Sequence, residues 1–137
     1  MSLIYGPIAQ NGYVVPELER AVDYWTTELG VGPWFEIDTS VFADMRYRGQ
    51  PTNMRVRIAL ANSGGLQIEL IQPLDDEPSP YRDFLRASGG QGGLQHVSSW
   101  PTAEVLMVCS VSARCCFPAG VAAPGLPISM RPTSLVQ

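Results

Sequence analysis

The sequence of 137 residues is long enough for one domain with a hydrophobic core, and its 45% hydrophobic and 16% charged residues are typical of a globular protein. A net charge of −4 and a pI near 4.8 argue against nucleic acid or an anionic membrane surface as the partner. No stretch is apolar for long enough to span a membrane, and the N-terminus does not resemble a signal peptide. We therefore expect a cytoplasmic protein.

The first half of the chain predicts a β-α-β-β-β unit over residues 8–72. Residues 8–15 have the composition of a strand, and residues 16–30 show apolar side chains at helical spacing between Pro16 in the first turn and a final Gly30. A second strand is predicted over 34–39. Residues 54–61 alternate in the manner of a half-exposed strand, and 66–72 form the last strand of the unit.

The following residues connect this unit to what looks like the start of a second one. Residues 73–93 contain an acidic, proline-rich connector and a short helix with Ser79 as its N-cap and Gly89 at its exit. Residues 94–100 begin another strand. The predicted organisation is thus a domain over 1–100, made of a first module (8–72), the connector and helix, and the start of a second module.

Three polar residues interrupt these otherwise apolar strands: Gln10, Glu69 and His96, the only histidine. Amide oxygen, carboxylate and imidazole are all ligands for a divalent cation. Because alternate residues of a strand share a face, Glu69 should lie on the sheet face opposite the helix. The alternatives are ordinary: a core histidine with its hydrogen bonds satisfied, a polar strand residue at position 10, and a Glu69 that is solvated or paired with Arg55 or Arg57.

The ordered set IAQNGYVVPELERAVDYWTTELGVGPW, LQIELIQPL and GLQHVSSW resembles the vicinal oxygen chelate superfamily, the group of glyoxalase I, bleomycin-resistance proteins and extradiol dioxygenases. It looks most like the methylmalonyl-CoA epimerase and glyoxalase-like branch. The resemblance implies an α+β fold in which two β-α-β-β-β modules form a cupped, incomplete barrel around one divalent metal (Ni, Co, Mn, Zn or Fe). By position it implies Gln10, Glu69 and His96 as metal ligands.

The fourth ligand that this resemblance implies, a glutamate late in the second module, has no counterpart. Residues 101–137 contain only three charged residues, Glu104, Arg114 and Arg131, but all three cysteines, which form no recognisable disulfide or zinc pattern. We interpret this segment as an atypical tail and hypothesise a reading-frame shift shortly after Trp100. A genuine but divergent short tail is the alternative.

Two functions from different classes follow from the resemblance. The first is a metal-dependent isomerase, epimerase or lyase that acts on a small carbonyl or thioester substrate through an enediolate, with Glu69 as the proton-transfer group. Ring-cleaving dioxygenation fits less well, because that branch prefers two histidines and one carboxylate. The second is a metal-free binding protein for small molecules, in which aromatic residues line the cup: Trp34, Phe35, Phe42, Tyr47 and Trp100.

A third possibility is an inactive, truncated member. Since half a cup would leave a sheet edge and an apolar face open, we expect a homodimer.

Overall fold

The computed structural model describes residues 6–38 and 45–100. The elements are β1 (Ile8–Val14), α1 (Leu18–Thr27), β2 (Phe35–Asp38), β3 (Arg46–Tyr47), β4 (Gln50–Pro51), β5 (Val56–Ser63), β6 (Leu66–Pro73), α2 (Pro80–Ala87) and β7 (Gly93–Ser99). The predicted tail, residues 101–137, lies outside the described residues, so its expected reading-frame shift stays a hypothesis.

Five strands form one mixed sheet in the order β2-β5-β6-β1-β7. β5 and β6 make an antiparallel hairpin, while β1 runs parallel to β6 on one side and antiparallel to β7 on the other. The sheet is open, and the predicted α+β fold with its β-α-β-β-β unit is confirmed. The sequence did not predict β3 and β4, a small hairpin whose two strands pair with each other.

One face of the sheet is covered by α1, as the alternation in the last strand predicted. Ile68 and Leu70 are buried on this face and pack in one cluster with the fully buried Leu18 of the helix. Trp25 adds an aromatic contact, because its ring centroid lies 5.2 Å from that of Tyr13 on β1. The residues between these positions in β6 therefore point to the other side of the sheet.

Two details of the predicted unit are wrong. The helix begins at Leu18 after the N-cap residue Glu17, so Pro16 precedes the helix instead of lying in its first turn. β5 is not half-exposed: Ala59 and Ala61, on the face expected to meet solvent, are 0% and 4% exposed because α1 packs over them. Small side chains at these positions allow the helix to approach the strand closely.

The opposite face of the sheet, which we call the site face, has a second apolar cluster. Val56, Ile58 and Ile71 are buried there, and Tyr81 from α2 packs against them. The predicted start of α2 is confirmed, since the Ser79 hydroxyl accepts a hydrogen bond of 3.0 Å from the backbone N–H of Arg82. Neither helix in the described ranges has the length and apolar character needed to cross a membrane.

Candidate functional site

The central feature of the site face is a row of three residues on neighbouring strands. Gly12 of β1 is in register with Glu69 of β6 on one side and with His96 of β7 on the other. The imidazole Nε2 of His96 lies 3.2 Å from the carboxylate Oε2 of Glu69, and the two side chains are 31% and 16% exposed. The structure therefore brings together two of the three residues predicted as ligands, on the face predicted for Glu69.

A bulge in β7 helps to aim the histidine. The pairing of β1 with β7 shifts by one residue between Gly12 and Tyr13, which leaves Gln95 without an opposite residue. Bulges of this kind redirect side chains and are frequent beside functional sites. Here the bulge lets two consecutive side chains meet, since Oε1 of Gln95 lies 2.6 Å from Nδ1 of His96. Because an amide oxygen only accepts, the contact is a hydrogen bond in the tautomer that carries its hydrogen on Nδ1.

This tautomer determines what can sit between His96 and Glu69. With the hydrogen on Nδ1, a neutral imidazole offers a lone pair at Nε2, and the carboxylate of Glu69 also only accepts. Two acceptors 3.2 Å apart are stable beside each other only with a cation between them, either a proton or a metal ion. With a proton on Nε2 the contact is an ion pair, and without it the imidazole nitrogen and the carboxylate oxygen are chemically suitable as two ligands of a divalent metal.

Gln10 occupies the adjacent row of the site face. It is 5% exposed and in register with Gln67 of β6, and its Nε2 donates a hydrogen bond of 2.9 Å to Oε1 of Gln67. This bond uses the amide nitrogen and leaves the carbonyl oxygen of Gln10 as the group it could offer to a cation. No cluster of three or more His, Cys, Asp or Glu side chains exists in the described ranges.

Tyr81 extends the site towards α2. Burial raises the pKa of Tyr81 to about 12, and the negative charge of Glu69 acts in the same direction. The phenol is therefore neutral at physiological pH and can only be a hydrogen-bonding group there. The sequence alone does not single out Tyr81, because nothing in its local pattern shows which strand residues α2 will contact.

The arginine alternatives for Glu69 are wrong. Arg55 binds Asp75, with a distance of 3.1 Å between Nε and Oδ2. Arg57 points to the α1 side of the sheet, where its guanidinium pairs with Glu19 and Glu36. In the described part of the chain, the basic side chain within 4 Å of the Glu69 carboxylate is His96.

The predicted aromatic lining is only partly present. Trp34 belongs to the α1 layer, because it packs against Trp25 with 6.5 Å between ring centroids and its Nε1 donates to the Val31 carbonyl oxygen. It therefore does not line the site face, which corrects the expectation. Phe35 lies on the site face beside Leu60 and is 68% exposed. The Tyr47 hydroxyl donates a hydrogen bond to Asp83, and Trp100 is 42% exposed. Phe42 lies outside the described residues.

These features define a class of protein: an open mixed sheet with a helix on one face and a carboxylate, imidazole and amide on the other. The family model of the Glyoxalase/Bleomycin resistance protein/Dioxygenase superfamily matches residues 9–107, and the chain belongs to this superfamily. The predicted resemblance is thereby confirmed. A comparison with curated protein sequences gives no match.

Solved structures share the fold. A selenomethionine methylmalonyl-CoA epimerase is 16% identical with a TM-score of 0.53, and the match covers 83% of this chain and 74% of the epimerase. Methylmalonyl-CoA epimerase from Mycobacterium tuberculosis is 19% identical with a TM-score of 0.59, covering 81% and 67%. A mutant 4-hydroxymandelate synthase from Streptomyces coelicolor is 17% identical with a TM-score of 0.54, covering 80% of this chain and 32% of the synthase.

Proposed function

We propose that this protein is a metal-dependent isomerase, epimerase or lyase for a small carbonyl or thioester substrate. The observation that supports the proposal best is the 3.2 Å approach of His96 Nε2 to Glu69 Oε2, which brings an imidazole nitrogen and a carboxylate oxygen close enough to share one cation. His96, Glu69 and the carbonyl oxygen of Gln10 would hold the metal, with solvent and substrate oxygens in the remaining positions. A divalent metal supplies Lewis-acid polarisation of carbonyl oxygens.

Glu69 has the chemistry of a general base. Its carboxylate can take a proton from a carbon next to a carbonyl group, which leaves an enolate, or an enediolate where that carbon carries a hydroxyl group. It can return that proton to the same or the neighbouring carbon. Tyr81 is a neutral hydroxyl near this carboxylate and can hydrogen bond to substrate oxygen. The fold shared with two methylmalonyl-CoA epimerases makes an acyl thioester with a hydrogen on the carbon next to its carbonyl group the first substrate class to test.

Hydrogen exchange tests the proposal without knowledge of the natural substrate. In D₂O with a divalent metal, the protein should catalyse the incorporation of deuterium into an added acyl thioester. The label should appear at the carbon next to the thioester carbonyl group. Glu69→Gln should abolish this incorporation, and His96→Ala should remove most of the metal affinity, whereas Gln10→Ala should weaken it less. Glu28→Gln is the matched control, because Glu28 is an exposed carboxylate at the end of α1. Unchanged metal content in His96→Ala would exclude the site.

A metal-free binding protein is the second candidate. It is favoured by Phe35, a large aromatic side chain that is 68% exposed on the site face. Exposed aromatic surface of this kind is typical of ligand contacts. Metal analysis of the purified protein separates the candidates: a near-stoichiometric divalent metal supports the enzyme, and metal-free protein that binds an aromatic ligand supports the binder.

We also propose a homodimer. Within the described residues β7 has β1 as its sheet neighbour and its other edge is open. Ile8, Leu94 and Val97, on these two strands, are between 49% and 57% exposed. An open edge with apolar side chains favours association. Light scattering should show a dimer at micromolar concentration, and a stable monomer would contradict this proposal. Sequencing of the gene tests the reading-frame hypothesis for residues 101–137.

A further inference from the structure

Gly12 lies directly beneath the ring of His96. A Cβ atom built on Gly12 would be 2.0 Å from Cε1 of His96 and 2.5 Å from each ring nitrogen. Real Cβ atoms essentially never come within 3.0 Å of another heavy atom in this way, so any other residue at this position would displace the imidazole. The backbone of Gly12 has no positive φ, and the glycine is therefore required by space and not by backbone conformation.

The geometry of the sheet explains why the ring must occupy this space. Glu69 and His96 are on β6 and β7, and β1 separates these strands. Neighbouring strands are about 4.8 Å apart, so the two backbones are separated by about 10 Å. Side chains that rise straight from the sheet would not meet across this gap. The imidazole instead lies flat over β1, and this is possible only where β1 has no side chain on the site face.

We infer that Gly12 is the positioning residue that brings His96 to Glu69. The empty position lets the imidazole cross β1, and Gln95 then holds its Nδ1 so that Nε2 faces the carboxylate. The strand residues two positions away on the same face carry side chains, Gln10 and Val14, so the gap is local to this row. The inference deepens the proposed function and rests on it only for the importance of the His96–Glu69 pair.

The placement of the ring is tested first in metal-free protein. Because His96 is the only histidine, its ring protons give unambiguous NMR signals. In the wild type, the proton on Cε1 should show a strong nuclear Overhauser effect to the Hα protons of Gly12. Gly12→Ala should fold normally, because the ring can turn towards solvent, but should lose the contact between the ring and β1. The absence of this contact in the wild type would overturn the inference.

Metal affinity is the second readout. Gly12→Ala should weaken the affinity for Co²⁺ by about 10- to 100-fold, the range typical of changes to groups that orient a ligand. In a His96→Ala background the same substitution should have no further effect, since the ring it displaces is absent. Gly65→Ala in the turn between β5 and β6 is the control, because a Cβ there meets no atom within 4 Å and its φ is not positive.

The outcomes separate the positioning role of Gly12 from the proposed metal function. Full Co²⁺ affinity in Gly12→Ala, or equal losses in both backgrounds, would overturn the positioning role. A wild type that binds no Co²⁺ but shows the contact between His96 and Gly12 would remove the proposed metal function and support the placement of the ring by Gly12.

Discussion

Alkaline pH should destabilise the protein through Tyr81, and the effect can be worked out from its position. Tyr81 packs against the buried Val56, Ile58 and Ile71 and faces the charge of Glu69. Both features disfavour the phenolate, which raises the pKa of Tyr81 from 10.0 to about 12. The unfolded chain therefore releases this proton at lower pH than the folded protein does.

The sign and size of the effect follow from this difference. A raised folded-state pKa gives stability that is fully present below about pH 10 and is lost as the pH rises to about 12. Two pKa units at about 1.36 kcal/mol each correspond to about 2.7 kcal/mol. Since the Tyr81 side chain keeps some solvent access, we expect about 2 kcal/mol to be lost.

The composition limits the number of side chains that ionise between about pH 8 and about pH 11. The nine basic residues are all arginines, so tyrosines and cysteines are the side chains that ionise in this range. Urea unfolding at about pH 8 and about pH 11, with metal removed by a chelator, gives the loss for the wild type and for Tyr81→Phe.

At about pH 11 only about half of the full loss has occurred, because this pH lies midway between the unfolded and folded pKa values of Tyr81. The variant should therefore show a loss about 1 kcal/mol smaller than that of the wild type. Tyr24→Phe, which changes a tyrosine that is 55% exposed, should behave like the wild type. Equal losses in Tyr81→Phe and the wild type would refute the reasoning. Tyr47 should contribute in the same direction, because its hydroxyl donates to Asp83 and this bond raises the pKa of Tyr47.

Two further substitutions test the packing of the helices. Trp25→Ala should cost about 3 kcal/mol of unfolding free energy, because it removes the aromatic contact with Tyr13 and leaves a cavity between α1 and the sheet. A loss below about 1 kcal/mol in urea unfolding would mean that this packing is absent. Ser79→Ala should cost about 1 kcal/mol of unfolding free energy, because it removes the N-cap hydrogen bond of α2. Ser63→Ala, at the exposed end of β5, is the control and should be neutral. Equal urea midpoints for the two variants would show that the Ser79 cap does not stabilise the protein.

Periodicity explains what the sequence could predict. Alternation in the last strand assigned Ile68 and Leu70 to the helix side and Glu69 to the opposite side, because the backbone of a strand enforces that alternation wherever the strand lies. The cap of α2 was predictable for a similar reason: Ser79 acts on a backbone N–H only three residues away. These features depend on local geometry alone.

The rest of the site depends on relationships between distant strands. Nothing near Gly12 shows that His96 will lie over it, since this follows from the register of β1 with β7 and from a bulge at Gln95. An isolated glycine within a strand was nevertheless a usable signal, because such glycines often mark a bulge or a close approach. The prediction of an exposed face for β5 was wrong because α1 covers its alanines, which are small enough for a helix to pack against. The strand pattern alone does not show that a helix lies there.

The strand order also has a consequence for the sequence of folding events. β5 and β6 are joined by a tight turn, whereas Gln10 meets its partner on β6 across 57 residues of chain. Longer loops cost more entropy to close, by about 0.6 kcal/mol for each doubling, so the hairpin should form early and β1 should wait for it. β7 joins only after β1 is in place. The pair of Glu69 and His96 should therefore form at the end of folding. A metal bound to this pair would slow unfolding and would have little effect on the folding rate.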